Sequence, residues 1–193
     1  MIDLHVTDSE RSHFSPDWAI SRELEVALIA LLEEHQPKSV IELGAGLSTI
    51  ILLRYAAATG AKTIHLDQPG AAYANLVSCL RLAGLPLDSV RECRIVNHFY
   101  AESMLSDCDS PADLVIVDGP RGSRSRTSTA GIQFLARVIS KNSIVIVDDT
   151  NRPAEARLAA KIANWFGEQN FDTLDVSDSV YTHRRSTLLA PRR

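Results

Sequence analysis

The stretch Ser39-Val-Ile-Glu-Leu-Gly-Ala-Gly-Leu-Ser-Thr49 constrains this chain more than any other. A short apolar strand carries an acid, runs into a glycine turn and continues as the apolar run Ile50-Ile-Leu-Leu-Arg-Tyr-Ala-Ala57. Strand, glycine turn and helix in that order build a nucleotide-type pocket in an α/β fold. Gly44 and Gly46 allow a tight turn and a close ligand, and the helix that follows points its amide end at that ligand.

The rest of the chain repeats the alternation. Trp18 to His35 has leucines at helical spacing and reads as an amphipathic helix started by Ser15-Pro16, with residues 1–14 as a loose arm before it. Strands are expected at about 39–43, 62–66, 90–96, 112–117, 143–147, 171–176 and 182–190, with helices between most of them. This pattern implies one α/β domain over residues 1–193, made of an N-terminal arm and helix (1–36) and a core (37–190). The fold expected is a Rossmann-like, doubly wound sheet of mostly parallel strands with helices on both faces.

Composition narrows the class. The chain has 193 residues, a net charge of −4 and a pI near 5.8, which argues against a general affinity for nucleic acid. Cys79, Cys93 and Cys108 lack metal or disulfide spacing. Neither a leader nor a bilayer-spanning run is read, so a cytoplasmic protein with a small-molecule ligand is the expectation.

Acids recur where the strands end: Glu42, Asp67, Asp118 and Asp148-Asp149. Ligands of open α/β sheets bind outside that edge. Asp67, about 20 residues after the first glycine, suits a ribose diol. A diphosphate-binding turn would carry a third glycine, but Thr49 holds that place, and Glu42 would repel a diphosphate while suiting a cation. S-adenosylmethionine, a sulfonium with a ribose and no phosphate, meets these requirements. A nicotinamide-dependent oxidoreductase is the weaker alternative.

These residues resemble class I S-adenosylmethionine-dependent methyltransferases. Ile41 to Thr49 looks like the first motif of that family. Leu114-Val-Ile-Val-Asp-Gly-Pro120 and Ile144-Val-Ile-Val-Asp-Asp-Thr-Asn-Arg152 resemble a subgroup with VDGP and DD-x-x-R after its fourth and fifth strands, and Glu155 and Trp165 continue the pattern. The resemblance implies a seven-stranded sheet with an antiparallel last strand. It implies that Glu42, Gly44, Gly46 and Ser48 hold the methionine end of the cofactor and Asp67 its ribose. Related metal-dependent O-methyltransferases suggest a magnesium site at Asp118, Asp148 and Asp149. The bland alternative makes Asp118 a turn former and Asp149 a helix cap. Without metal, Asp149, Asp118 or His98 would be the general base.

The arginines Arg121, Arg124 and Arg126 follow one of these strand ends and Arg152 another; Arg126 and Arg152 recur in the resembled pattern. They are read as contacts for an anionic substrate or as a solvated basic loop. The expected activity is O-directed methyl transfer to a small polar, anionic acceptor. A domain that binds the cofactor without catalysis is the alternative. The apolar N-terminal helix would also suit a homodimer.

Overall fold

The structure is a computed structural model and describes residues 3–16, 19–106, 108, 110–120, 128–167, 170–178 and 184–192. Arg126 and Trp18 lie outside the described residues. Seven strands form one sheet: β1 (Ser39–Leu43), β2 (Lys62–Asp67), β3 (Val90–Glu92), β6 (Leu114–Val117), β7 (Ile144–Val147), β8 (Phe171–Ser177) and β9 (Arg185–Pro191). Two shorter strands, β4 (Ile95–Val96) and β5 (Phe99–Tyr100), pair with each other as an antiparallel hairpin. The order across the large sheet is β3-β2-β1-β6-β7-β9-β8, and β9 runs antiparallel to both of its neighbours. The remaining pairs are parallel, so the expected architecture is the one observed.

Among the described residues the α-helices are α1 (Asp8–Arg11), α2 (Arg22–His35), α3 (Leu47–Thr59), α4 (Ala71–Leu82), α5 (Thr129–Val138) and α6 (Pro153–Phe166). Side chains alternate across a strand, and the central strands are apolar on both faces for that reason. Leu114 and Ile116 of β6 join Ile50, Ile51, Leu28 and Leu76 from α2, α3 and α4 on one side of the sheet. Val115 and Val117 join Phe134, Leu158 and Ile162 from α5 and α6 on the other. Gly60, at φ 75, closes α3 as the sequence suggests.

Three expectations change. The helix expected from Ser15-Pro16 to His35 is α2 and starts at Arg22, capped by the Ser21 hydroxyl on the Leu24 amide (3.0 Å). The strand expected at 90–96 breaks after Glu92; positive φ at Asn97 (52°) and His98 (70°) turns the chain into the β4–β5 hairpin. The N-terminal arm is docked. Leu4 and Val6 are buried, and the buried Glu25 of α2 accepts from the Val6 amide (3.1 Å) and pairs with Arg11. Arg54 of α3 reaches the His5 carbonyl (2.6 Å) and the Glu10 carboxylate (2.7 Å). A carboxylate inside the protein requires such partners, and the arm supplies them.

Candidate functional site

The carboxyl ends of β1, β2, β6 and β7 converge on a cavity of about 430 Å³, within the range of small-molecule sites. Its floor is the turn after β1. Gly44 takes φ 95, and its amide donates to the Leu66 carbonyl of β2 (2.8 Å). Gly46 keeps an extended φ, and a Cβ placed there would meet nothing within 4 Å. The turn therefore shows bare backbone to the cavity.

Glu42 stands behind this wall and does not line the cavity. It is fully buried and accepts from three side chains: the Ser48 hydroxyl, the Thr49 hydroxyl (2.7 Å) and His65 Nδ1 (2.7 Å). Thr49 Oγ1 in turn accepts from the Gly46 amide (2.9 Å). Ser48 is committed to Glu42 and is likewise absent from the lining. Of the residues expected at the cofactor, Gly44, Gly46 and Asp67 face the cavity. Asp67 ends β2, and its carboxylate also accepts from the Gln68 amide (2.8 Å). The chain from Gln68 to Ala72 continues the wall into α4.

The acids after β6 and β7 separate. Asp118 lines the cavity, and its amide and that of Gly119 both donate to the Leu43 carbonyl (2.7 and 2.6 Å). Asp149 lines it as well, at φ 57, a left-handed conformation uncommon outside glycine. Its carboxylate is 2.8 Å from an Arg152 guanidinium nitrogen. Asp148 turns away to β9, where its carboxylate accepts from the Ser186 hydroxyl (2.5 Å) and from the Asp149 amide (2.8 Å). Burial, and next the charge of Asp149, push the Asp148 carboxyl above its ordinary range.

This split corrects the magnesium expectation. Among the described residues no group of three or more His, Cys, Asp or Glu side chains is placed to hold a metal ion. Asp148 is spent on Ser186 and a backbone amide and does not join Asp118 and Asp149 at the cavity. The residues present do not fit a three-acid magnesium centre.

Arg152 lines the cavity and is half exposed, whereas Arg126 lies outside the described residues. His98 sits exposed in the β4–β5 turn and is not part of the lining. Trp165 packs edge-on to Phe166 against the α5–α6 side of the core.

Sequence reasoning missed several contributors. His13, Phe14 and Ser15 form a wall of the cavity because the arm is docked. Arg184 lines it too and donates to the Pro16 and Ala19 carbonyls (3.2 and 3.0 Å), tying the start of β9 to that wall. His65 lies among other polar residues of β2 and reads as an ordinary strand residue. The available signal was its place opposite Glu42 in the β1–β2 register, which requires the strand pairing.

No family model matches the sequence, and no curated protein matches it. Solved structures do. The chain is similar to the S-adenosylhomocysteine-bound methyltransferase PaMTH1 of Podospora anserina (17% identity, 97% of this chain and 89% of that one, TM-score 0.65). It is similar to the O-methyltransferase TomG of Streptomyces achromogenes, involved in tomaymycin synthesis and solved with S-adenosylmethionine (14%, 97% and 92%, TM-score 0.62). An O-methyltransferase of Bacillus cereus, solved with S-adenosylhomocysteine, also matches (14%, 94% and 87%, TM-score 0.60). The fold is the methyltransferase fold. In this fold the cavity lies where open α/β sheets take their ligands, outside the carboxyl ends of the strands. No described helix is long and apolar enough to cross a membrane.

Proposed function

We propose that the chain is an S-adenosylmethionine-dependent methyltransferase, O-directed, acting on a small polar, anionic acceptor. The observation that carries this reading is that Gly44, Gly46 and Asp67 line one cavity, with the space over Gly46 open. Gly44 and Gly46 would lie against the methionine end and Asp67 would take the ribose hydroxyls, with Glu42 and Ser48 acting from behind the turn. The same turn disfavours a dinucleotide. The Gly46 amide, which a diphosphate would use, is already bonded to Thr49 Oγ1, and Glu42 adds a carboxylate behind it.

When bound, S-adenosylmethionine supplies a methyl carbon already activated by its sulfonium. The protein's part is to align an acceptor hydroxyl, exclude water and take the hydroxyl proton. Asp149 is the assigned base, with Asp118 beside it on the cavity wall. Arg152, 2.8 Å from the Asp149 carboxylate, is positioned to orient it and to meet an acceptor carboxylate or phosphate.

Calorimetric titration with S-adenosylhomocysteine and, separately, with NAD tests the donor assignment. Micromolar binding of the first and none of the second is expected. No binding of S-adenosylhomocysteine at millimolar concentration would overturn it. Cofactor binding without turnover across hydroxylated acids and phosphates would select a non-catalytic binding domain instead.

A further inference from the structure

The buried histidine behind the donor turn has no role in the chemistry described above. His65 lies directly across the β1–β2 ladder from Glu42, and both side chains are fully buried. Strands of a parallel sheet covered on both faces are normally apolar at such positions. Histidine brings a penalty there: His65 Nε2 is buried and, among the described residues, has no hydrogen-bond partner. What the ring provides is at its other nitrogen, 2.7 Å from Glu42 Oε2.

An ionised carboxylate only accepts hydrogen bonds, so the Glu42 contact places the proton on Nδ1 and leaves Nε2 bare. Glu42 then gathers donors from two elements. His65 comes from the sheet, and Ser48 and Thr49 come from the first turn of α3. The series continues outward, because Thr49 Oγ1 also receives the Gly46 amide. His65 is thus the sheet-side anchor of a hydrogen-bonded chain that ends on the turn lining the cavity.

We propose that His65 is a positioning residue for the donor site. Through Glu42 and Thr49 it fixes the Gly44–Gly46 turn against the sheet, in the shape that receives the methyl donor. Without its Nδ1 donor, the Glu42 carboxylate can shift off Thr49, and the Gly46 amide loses its fixed partner. This rests on the proposed function for the identity of the ligand, and on geometry alone for the chain of contacts.

The test uses the full chain, with S-adenosylhomocysteine as the calorimetric probe. His65→Leu should weaken binding by roughly tenfold or more, the equivalent of losing a hydrogen bond to a charged group. His65→Asn, whose amide nitrogen falls close to the place of Nδ1, should recover most of that loss, and His65→Gln should not. In a Glu42→Gln background His65→Leu should add little, because the two act as one unit. A second measurement needs no variant: nitrogen NMR of the wild-type imidazole should show the Nδ1–H tautomer. Wild-type-like binding by His65→Leu, independent losses in the double variant, or an Nε2–H tautomer would each overturn the inference. If the wild-type chain itself fails to bind the probe, the donor assignment falls first, an outcome distinct from all of these.

Discussion

Gly44 and Gly119 pack backbone to backbone. A Cβ on Gly44 would stand 2.5 Å from the Gly119 nitrogen, and one on Gly119 would stand 2.8 Å from the Gly44 Cα. The contact joins the turn after β1 to the turn after β6, and the Leu43 carbonyl, which accepts from both Asp118 and Gly119, reinforces it. The floor of the cavity and one of its acids, Asp118, are therefore a single packed unit. Gly44→Ala should be costly twice, once for a side chain at φ 95 and once for its collision with backbone that cannot rotate away. A loss of roughly 3 kcal/mol is expected from these two effects together. In thermal unfolding this corresponds to a fall of roughly 6–12 °C for a chain of this length.

Gly46→Ala separates ligand approach from folding. The position is extended and its surroundings are open, so the melting temperature should stay within about 2 °C of wild type. The new methyl would occupy space over the turn, and S-adenosylhomocysteine affinity should drop about tenfold or more. Unchanged affinity would mean that the cofactor does not cover this glycine.

The contrast between Glu42 and Asp149 shows what could be read from the sequence. Strand ends and the glycine turn follow from local periodicity and turn chemistry, and they placed Gly44, Gly46, Asp67 and Asp149 at one edge. Periodicity does not say which way a residue at a strand end is turned. Glu42 is taken inward by Ser48, Thr49 and His65, and Asp148 by Ser186 of β9, a strand 38 residues further along the chain. The arm was misread for a similar reason. Its polar residues look solvated until the buried carboxylate of Glu25, which they satisfy, is known.

Asp148→Asn tests the buried carboxyl. In the folded chain its pKa is raised by burial and by Asp149, so the folded state holds the proton to a higher pH than the unfolded state does. Stability from this group is present at low pH. It is lost as pH rises from the unfolded carboxylate value, about 3.9, through the raised folded value. Asparagine keeps the acceptor for Ser186 and the Asp149 amide without the charge. The variant should melt at or above the wild-type temperature at about pH 7.5. The difference should vanish below about pH 4, where Asp148 is protonated in both states. A variant less stable than wild type at neutral pH, with the deficit disappearing at low pH, would show instead that Asp148 is carried as a favourable charge.

Asp149→Asn probes the assigned base. Its amide still accepts from Arg152, so S-adenosylhomocysteine affinity should stay near wild type, while methyl transfer falls by roughly 10²–10⁴. EDTA should leave the wild-type rate unchanged, since Asp148 is turned to Ser186 rather than to the cavity. Loss of activity in EDTA that magnesium alone restores would reinstate a metal site.

Glu25→Ala addresses the docked arm. Glu25 is buried, and the side chain of Arg11 is 21% exposed, so truncating the acid leaves a largely buried guanidinium without its counter-charge. Breaking such a pair typically costs about 3–5 kcal/mol. Here the strain falls on the arm itself, whose other ties include Arg54 to His5 and Glu10, Arg22 to Asp8, and the burial of Leu4 and Val6. Release of the arm, rather than global unfolding, is the expected relief. Because His13, Phe14 and Ser15 form part of the cavity wall, release should also weaken S-adenosylhomocysteine binding. Limited trypsin digestion should then cut at Arg11 first, and saturating S-adenosylhomocysteine should slow that cut. An arm as resistant in the variant as in the wild type would place its anchorage elsewhere, in the burial of Leu4 and Val6.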